Sequence, residues 1–396
     1  MTNWLDDFVE YTSIGETPSR IMRWVGVFTI AAVLGRKVFI DQARFQWTPN
    51  FYILLIAPPG EVMKSTSMDE GMKLLRQVHD ENGESVVDFG PQASTWQQLL
   101  EHMQNSKRPY PYPGNEGFEA SCVSIGLSEL GTLFDPNETA MVTHLTDMWD
   151  SKLGEFVKET KTSGDTRILN PYLNLIGCAT PEWVAKNFGN NLVGEGFGSR
   201  PVYLYAEQSE RFIAYPKLQI KDAHARRRKE VELIERLKEM SKYAGEMQVT
   251  AEAYAWGEEW YADYRKARRL LPQSHVSLTV RKQSHLHKLA IVLSCAKGKF
   301  PRIDVEEFKQ AAKMLDEVEP DAFKVFGFVD QSRESKVMGA VKDYLSKHEG
   351  VKQSMLLQAL AAYGIQEVQQ VLKGMEEARL VVRDGAVGNP TVRLTS

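Results

Sequence analysis

The chain has little cysteine: three in 396 residues, Cys122, Cys178 and Cys295, far apart and in no pair with metal-ligand spacing. That excludes a disulfide-framed secreted scaffold, and a reducing, cytoplasmic setting is expected. Long hydrophobic runs are missing as well. The nearest, Trp24 to Leu34, is broken by Gly26 and halts at Gly35-Arg36-Lys37, short of the roughly 18 apolar residues that a membrane span requires. The opening Met-Thr-Asn-Trp-Leu-Asp-Asp lacks the basic start and apolar core of a signal peptide. Nor does one charge sign dominate. The formal net charge is −4, so no whole-molecule field draws in a polyanion, and any nucleic-acid surface must be local. His275, His285 and His287 have no cysteine or carboxylate neighbours at ligand spacing, and no structural metal is expected.

What is present is ordinary globular material, 43% apolar and 25% charged. Residues 1–48 read as mainly helical, opened by Pro18-Ser19, with Ile21, Trp24, Val25, Phe28 and Ala32 near helical spacing. Lys37 to Trp47 reads as a strand or hairpin. Phe51 to Ile56 is a short continuous apolar run, and Ala120 to Leu127, Leu173 to Ile176 and Pro201 to Tyr205 are further mainly apolar runs, as buried strands of a parallel sheet would be. Four such runs between helical and loop segments predict an α/β core over 49–215. The proline- and glycine-rich stretch 105–117 reads as a surface loop. A charged helix from Lys221 opens a helical domain over 216–334. From 335 to 396 the order helix, helix, helix, hairpin is that of a winged helix-turn-helix.

One segment carries chemistry. Ala57-Pro58-Pro59-Gly60-Glu61-Val62-Met63-Lys64-Ser65-Thr66 follows an apolar strand and precedes a helical stretch, the context of a phosphate-binding loop. Such a loop curls backbone N–H groups around a phosphate, reaches the β- and γ-oxygens with a lysine and offers a hydroxyl to Mg²⁺. Lys64 and Ser65 supply those side chains, and residues 59 to 66 would form the cradle. The strict pattern asks for glycines where Pro58 and Met63 stand, and Gly60 lies four residues before Lys64. The loop must therefore be wider or differently curled. A plain Pro-Pro-Gly turn before a solvated Lys64 is the alternative.

Around this loop the chain resembles a family of phage and mobile-element P-loop ATPases related to RecA-like hexameric replicative helicases. The resemblance covers about residues 18 to 330. It rests on "AAVLGRKVFI", "WTPNFYILLIAPPG" running into "KSTS", "IGLSEL", "NPYLNLIGCATPEWV" and "GEGFGSRPVYLY". It implies a RecA-like ATPase core, ATP and Mg²⁺ as ligands, a ring oligomer and single-stranded DNA as partner. Members often replace the glycine before the lysine, as Met63 does here. The expected activity is that of an ATP-dependent, helicase-like replication motor. A nucleotide-binding factor that hardly hydrolyses and a purely structural DNA-binding protein are the alternatives.

The partners of the loop follow. A RecA-like ATPase needs a carboxylate at the end of a neighbouring strand, to organise the metal or activate water. Glu129 after Leu127 is the candidate, where the family usually carries Asp-Glu and this chain has Ser128-Glu129. Asn174 and Thr180 bracket an apolar strand at the place of a γ-phosphate sensor, although an asparagine satisfied by nearby backbone fits equally. Thr180 is also expected to cap the helix starting at Pro181. Arg200, after the turn Gly194 to Ser199, could reach a neighbour's γ-phosphate across a ring or form a local ion pair. For DNA, Lys158 and Lys161 in a Gly/Thr/Ser-rich loop come first. Arg226 to Lys229 share a helix with glutamates, as a solvated face would. Arg265, Lys266, Arg268 and Arg269 lie near Trp256, Trp260, Tyr261 and Tyr264, rings that could stack bases.

Overall fold

Phe51 to Ile56 is apolar at every position, which suits a strand covered on both faces. In the computed structural model, Tyr52–Ile56 (β1) is fully buried within a mainly parallel sheet. The structure describes residues 3–92, 95–134, 138–158, 165–188, 196–348, 350–385 and 388–395. Asp88–Phe89 (β2), Lys107–Pro109 (β3), Glu119–Leu127 (β4), Tyr172–Ala179 (β5) and Pro201–Tyr205 (β6) complete the sheet. The order is β6-β1-β5-β4-β2, all parallel, with β3 antiparallel on β4. Register aligns the strand ends: Ile56 lies opposite Ala179 and Tyr205, and Leu127 opposite Gly177. β3 falls within the stretch expected to be loop. Its proline-rich continuation is not strand, but Arg108 and its neighbours pair with Ala120 and its neighbours.

The sheet is covered on both faces, and β1 shows the alternation that requires it. Ile53 and Leu55 join one apolar cluster with Val25 and Phe28 of helix Ser19–Leu34 and Met68 and Met72 of helix Lys64–Leu75. On the other face Tyr52 donates its hydroxyl to the Leu145 carbonyl (2.9 Å) of helix Thr139–Asp150. Ser19–Leu34 is apolar nearly all round, and such a helix must itself be buried. It packs under helices Trp4–Thr12 and Ala223–Met240. This is why the boundaries expected at 48 and 215 do not separate cores. Side chains from Trp4 to Val318 share one cluster, and the division into two compact units falls between Val325 and Phe326.

The second unit, residues 326–396, has its own core. Helix Ile365–Glu377 buries Val368, Val371, Leu372 and Met375, the i, i+3, i+4, i+7 stripe of an amphipathic helix. It follows the short helix Gln353–Ala359 and precedes an antiparallel hairpin, Val381–Asp384 with Thr391–Leu394, to which Val351–Lys352 adds a third strand. Among the described residues no helix is long and apolar enough to cross a membrane.

Candidate functional site

At the carboxyl end of the sheet, where ligands of open α/β sheets bind, lies a cavity of about 540 Å³. Its walls come from three neighbouring strands. Gly60, Met63, Lys64 and Ser65 follow β1, Ser128 to Gly131 follow β4, and Cys178 to Thr180 end β5, with Trp183 just beyond. Lys64, Ser65 and Glu129, chosen in sequence for one chemistry, thus share one cavity.

The loop after β1 owes its shape to two left-handed residues. Gly60 has φ 79°, and Met63, directly before the helix, has φ 49° and ψ 43°. A side chain in that region costs about 1–2 kcal/mol relative to glycine, which explains why the strict motif asks for glycine at 63. Helix Lys64–Leu75 then starts at the cavity wall, turning the positive end of its dipole and its unbonded first-turn amides toward any anion there. The Lys64 ammonium donates to the carbonyls of Ala57 (2.6 Å) and Pro58 (3.2 Å). Partial burial lowers its pKa, opposed by the nearby Cys178 and Glu182. The same burial pushes the Cys178 thiol up to about 12, so this cavity wall is a neutral thiol at physiological pH.

The rest of the cradle divides. Val62 is buried, its carbonyl accepting from Thr17 (3.3 Å), and the Glu61 carbonyl accepts from Ser209 (2.6 Å). These two hold the loop from behind, while Pro59 is exposed. Thr66 lines a different groove, with Asp69, Glu70 and Lys73, so the structure does not bring it to the cavity. Ser65 is exposed, and so is Glu129, at the cavity rim. The hydroxyl and the carboxylate are hard oxygen donors reaching the cavity from different strands, and such a set fits Mg²⁺.

Trp183 and Gly131 are cavity residues that the sequence reading missed. A side chain at Gly131 would put its Cβ 2.8 Å from the Trp183 indole nitrogen, so the glycine leaves room for the indole against the turn after β4. Thr180 does cap the following helix, accepting from the Trp183 amide at 3.1 Å. The only local hint of Trp183 was its place three residues after that cap.

Two expectations need correction, for the same reason: they lie at the opposite end of the sheet. Asn174 is fully buried, its oxygen accepting from the Phe51 amide and its nitrogen donating to the Phe28 carbonyl, each at 3.1 Å. Five residues of strand, about 16 Å, separate it from Ala179, so it cannot sense a phosphate in the cavity. Arg200 is 4% exposed. It donates to the Gly196 carbonyl (2.6 Å) and to Asp150 (3.1 Å), with its guanidinium 5.7 Å from the Trp149 ring centre. A cation acting across a subunit boundary must be exposed and mobile, and this one is neither. Lys158 ends one strand of an antiparallel hairpin, Glu155–Lys158 with Thr166–Leu169. Lys161 lies outside the described residues.

No protein-family model matches the chain, and no curated protein matches it either.

Proposed function

We propose that the protein is an ATP-hydrolysing, DNA-acting motor with a RecA-like core, resembling ring-shaped replicative helicases. The observation that carries the reading is the convergence of Lys64, Ser65 and Glu129 on one cavity at the carboxyl ends of parallel strands. The lysine and the acidic residue come from β1 and β4, strands separated by β5. In this reading Lys64 releases the carbonyls of Ala57 and Pro58 and turns its charge to the β- and γ-oxygens. The amides at the start of helix Lys64–Leu75 cradle the same anion. Ser65 and Glu129 would hold Mg²⁺, which supplies charge neutralisation at the phosphates. The Glu129 carboxylate orients the attacking water and accepts its proton. Trp183 gives the cavity a flat apolar wall. Lys158 and Lys161 would contact DNA, and unit 326–396, by its element order, would be a winged helix.

A second reading, a nucleotide-bound factor that scarcely turns over, is favoured by one observation. Met63 sits in a conformation that glycine adopts freely, so any phosphate-gripping shape that keeps this left-handed turn costs about 1–2 kcal/mol more than it would with glycine. One measurement separates the two: ATP turnover with and without single-stranded DNA, alongside the oligomer mass. Turnover raised by DNA in a ring supports the motor. Nucleotide binding with negligible turnover supports the second reading, and failure to bind nucleotide removes both. Glu129→Gln is expected to bind nucleotide as the parent does while losing turnover.

A further inference from the structure

We infer that single-stranded nucleic acid docks on a row of rings along helix Ala251–Arg268, with lysines of helix Val305–Lys347 on its flank. The inference rests on the DNA-acting reading above and gives it a surface other than the hairpin at Lys158. Trp256, Trp260, Tyr264 and Arg268 are spaced four apart, so they form one stripe about 18 Å long. Trp256 and Trp260 have ring centres 6.3 Å apart and planes 21° apart. Trp260 and Tyr264 are 5.3 Å and 9° apart. Arg268 extends the row, its guanidinium 5.7 Å from the Tyr264 ring centre. A stripe of three rings normally marks a buried helix face. Here Ala253 is the fully buried residue of the helix, and the rings are part-buried: Trp256 and Trp260 pack on the main apolar cluster and the Tyr264 hydroxyl donates to the Thr279 carbonyl, but each ring keeps some exposed surface.

Beside the row runs a groove of about 480 Å³, whose lining includes Trp256, Trp260, Lys309 and Lys313. The two lysines are exposed and one helical turn apart. Charge decides what the groove accepts. Asp316 and Glu317 line it too: Asp316 shares Lys282 (2.7 Å) with Glu319, Asp263 is paired with Lys266 at 3.2 Å, and among the described residues Glu317 is the lining carboxylate with no cation within ion-pair distance. Among the described residues Lys309, Lys313, Arg265, Arg268 and Arg269 have no carboxylate within ion-pair distance. A row of part-exposed rings with unneutralised cations alongside matches a polymer that alternates flat bases with phosphates. A duplex keeps its base faces stacked inside and has none to offer. An acidic peptide supplies the charge without the faces.

The test titrates the full chain, without nucleotide, into a dye-labelled oligothymidylate, reading anisotropy and tryptophan emission at several salt concentrations. The expected result is binding that quenches tryptophan emission and weakens with salt. Trp260→Ala should weaken it about tenfold, as loss of one stacking ring does. A Lys309→Gln/Lys313→Gln double variant should also weaken it and lower the salt slope by about 1 to 2. Both lysines are exposed, so this variant decides should Trp260→Ala fail to fold. Affinities of both variants within twofold of the parent would overturn this surface while leaving the DNA-acting reading in place. Duplex binding as tight as single-strand binding also overturns it. No strand binding by the parent sinks both ideas.

Discussion

The two ends of the central sheet carry the same residue types and put them to opposite uses. At the carboxyl end Lys64, Ser65 and Glu129 line an open cavity, and the lysine is occupied only by carbonyls of its own loop. At the amino end Lys288 is buried, donating to the Asn50 carbonyl (3.2 Å), the Asn50 side-chain oxygen (2.8 Å) and the Trp149 carbonyl (3.0 Å), and lying 3.7 Å from the Trp149 ring centre. Burial drives its pKa well below that of an ordinary lysine. Arg36, also buried, is lowered to about 10 by the same cause. Asn174 and Arg200 belong to this closed end. The difference teaches that a cation is available to a ligand when its hydrogen bonds are few and exchangeable. A cation whose bonds tie several elements together is structural.

Substitutions at the two ends should separate function from stability. The largest effect expected is at Lys64. Lys64→Ala should cut ATP turnover by about 100-fold or more while changing stability by less than about 1 kcal/mol, read from turnover and thermal melting side by side. Unchanged turnover would erase the distinction between the ends. Next, Arg200→Ala should leave Asp150 with only its longer contact to Arg281 (4.0 Å) and destabilise the fold by about 3 kcal/mol. Below its lowered melting point the variant should keep its turnover. A folded but inactive variant would return Arg200 to a role across a subunit boundary.

Acid should act on the closed end. His285 donates to the Arg200 carbonyl and His287 to the Gln283 carbonyl, each at 2.8 Å, and burial lowers their pKa values to about 3 and about 4. Because both folded values lie below the unfolded one, their contribution is complete above about pH 6.5 and is lost as pH falls toward 4. Melting temperature against pH should show that loss, and His287→Gln should flatten it. The smallest effect expected is at Met63. Met63→Gly relieves the left-handed strain but frees the unfolded chain, so the net gain should be below about 1 kcal/mol. A lower melting temperature for Met63→Gly would mean that the added freedom of the unfolded chain outweighs the strain relieved.

Much of the sheet was legible because its strands are covered on both faces. Tyr52–Ile56, Glu119–Leu127, Tyr172–Ala179 and Pro201–Tyr205 announce themselves as mainly apolar runs. The short Asp88–Phe89 and the half-buried strand pair Glu155–Lys158 with Thr166–Leu169 carry no such signal. Lys64 and Ser65 were legible through the strand-loop-helix context of their loop. Asn174 near the start of its strand and Thr180 just after its end are separated by chain direction once the sheet is parallel, and register puts the Ala179 end beside Ile56 at the open end. Arg200 was not legible: the glycines before it announce a turn, but its partner Asp150 lies 50 residues away.

The interposition of β5 between β1 and β4 has a consequence for how the cavity could change. Neighbouring strands are spaced about 4.8 Å apart, so the loops after β1 and β4 start about 10 Å apart, a distance set by backbone hydrogen bonding. Point substitutions can move a side-chain tip within that frame but cannot widen or narrow it by fractions of a strand. Its width is quantised. Variation in the bound ligand must therefore come from the rims, where Met63, Gly131 and Trp183 set depth and shape, while the frame itself is inherited whole or lost.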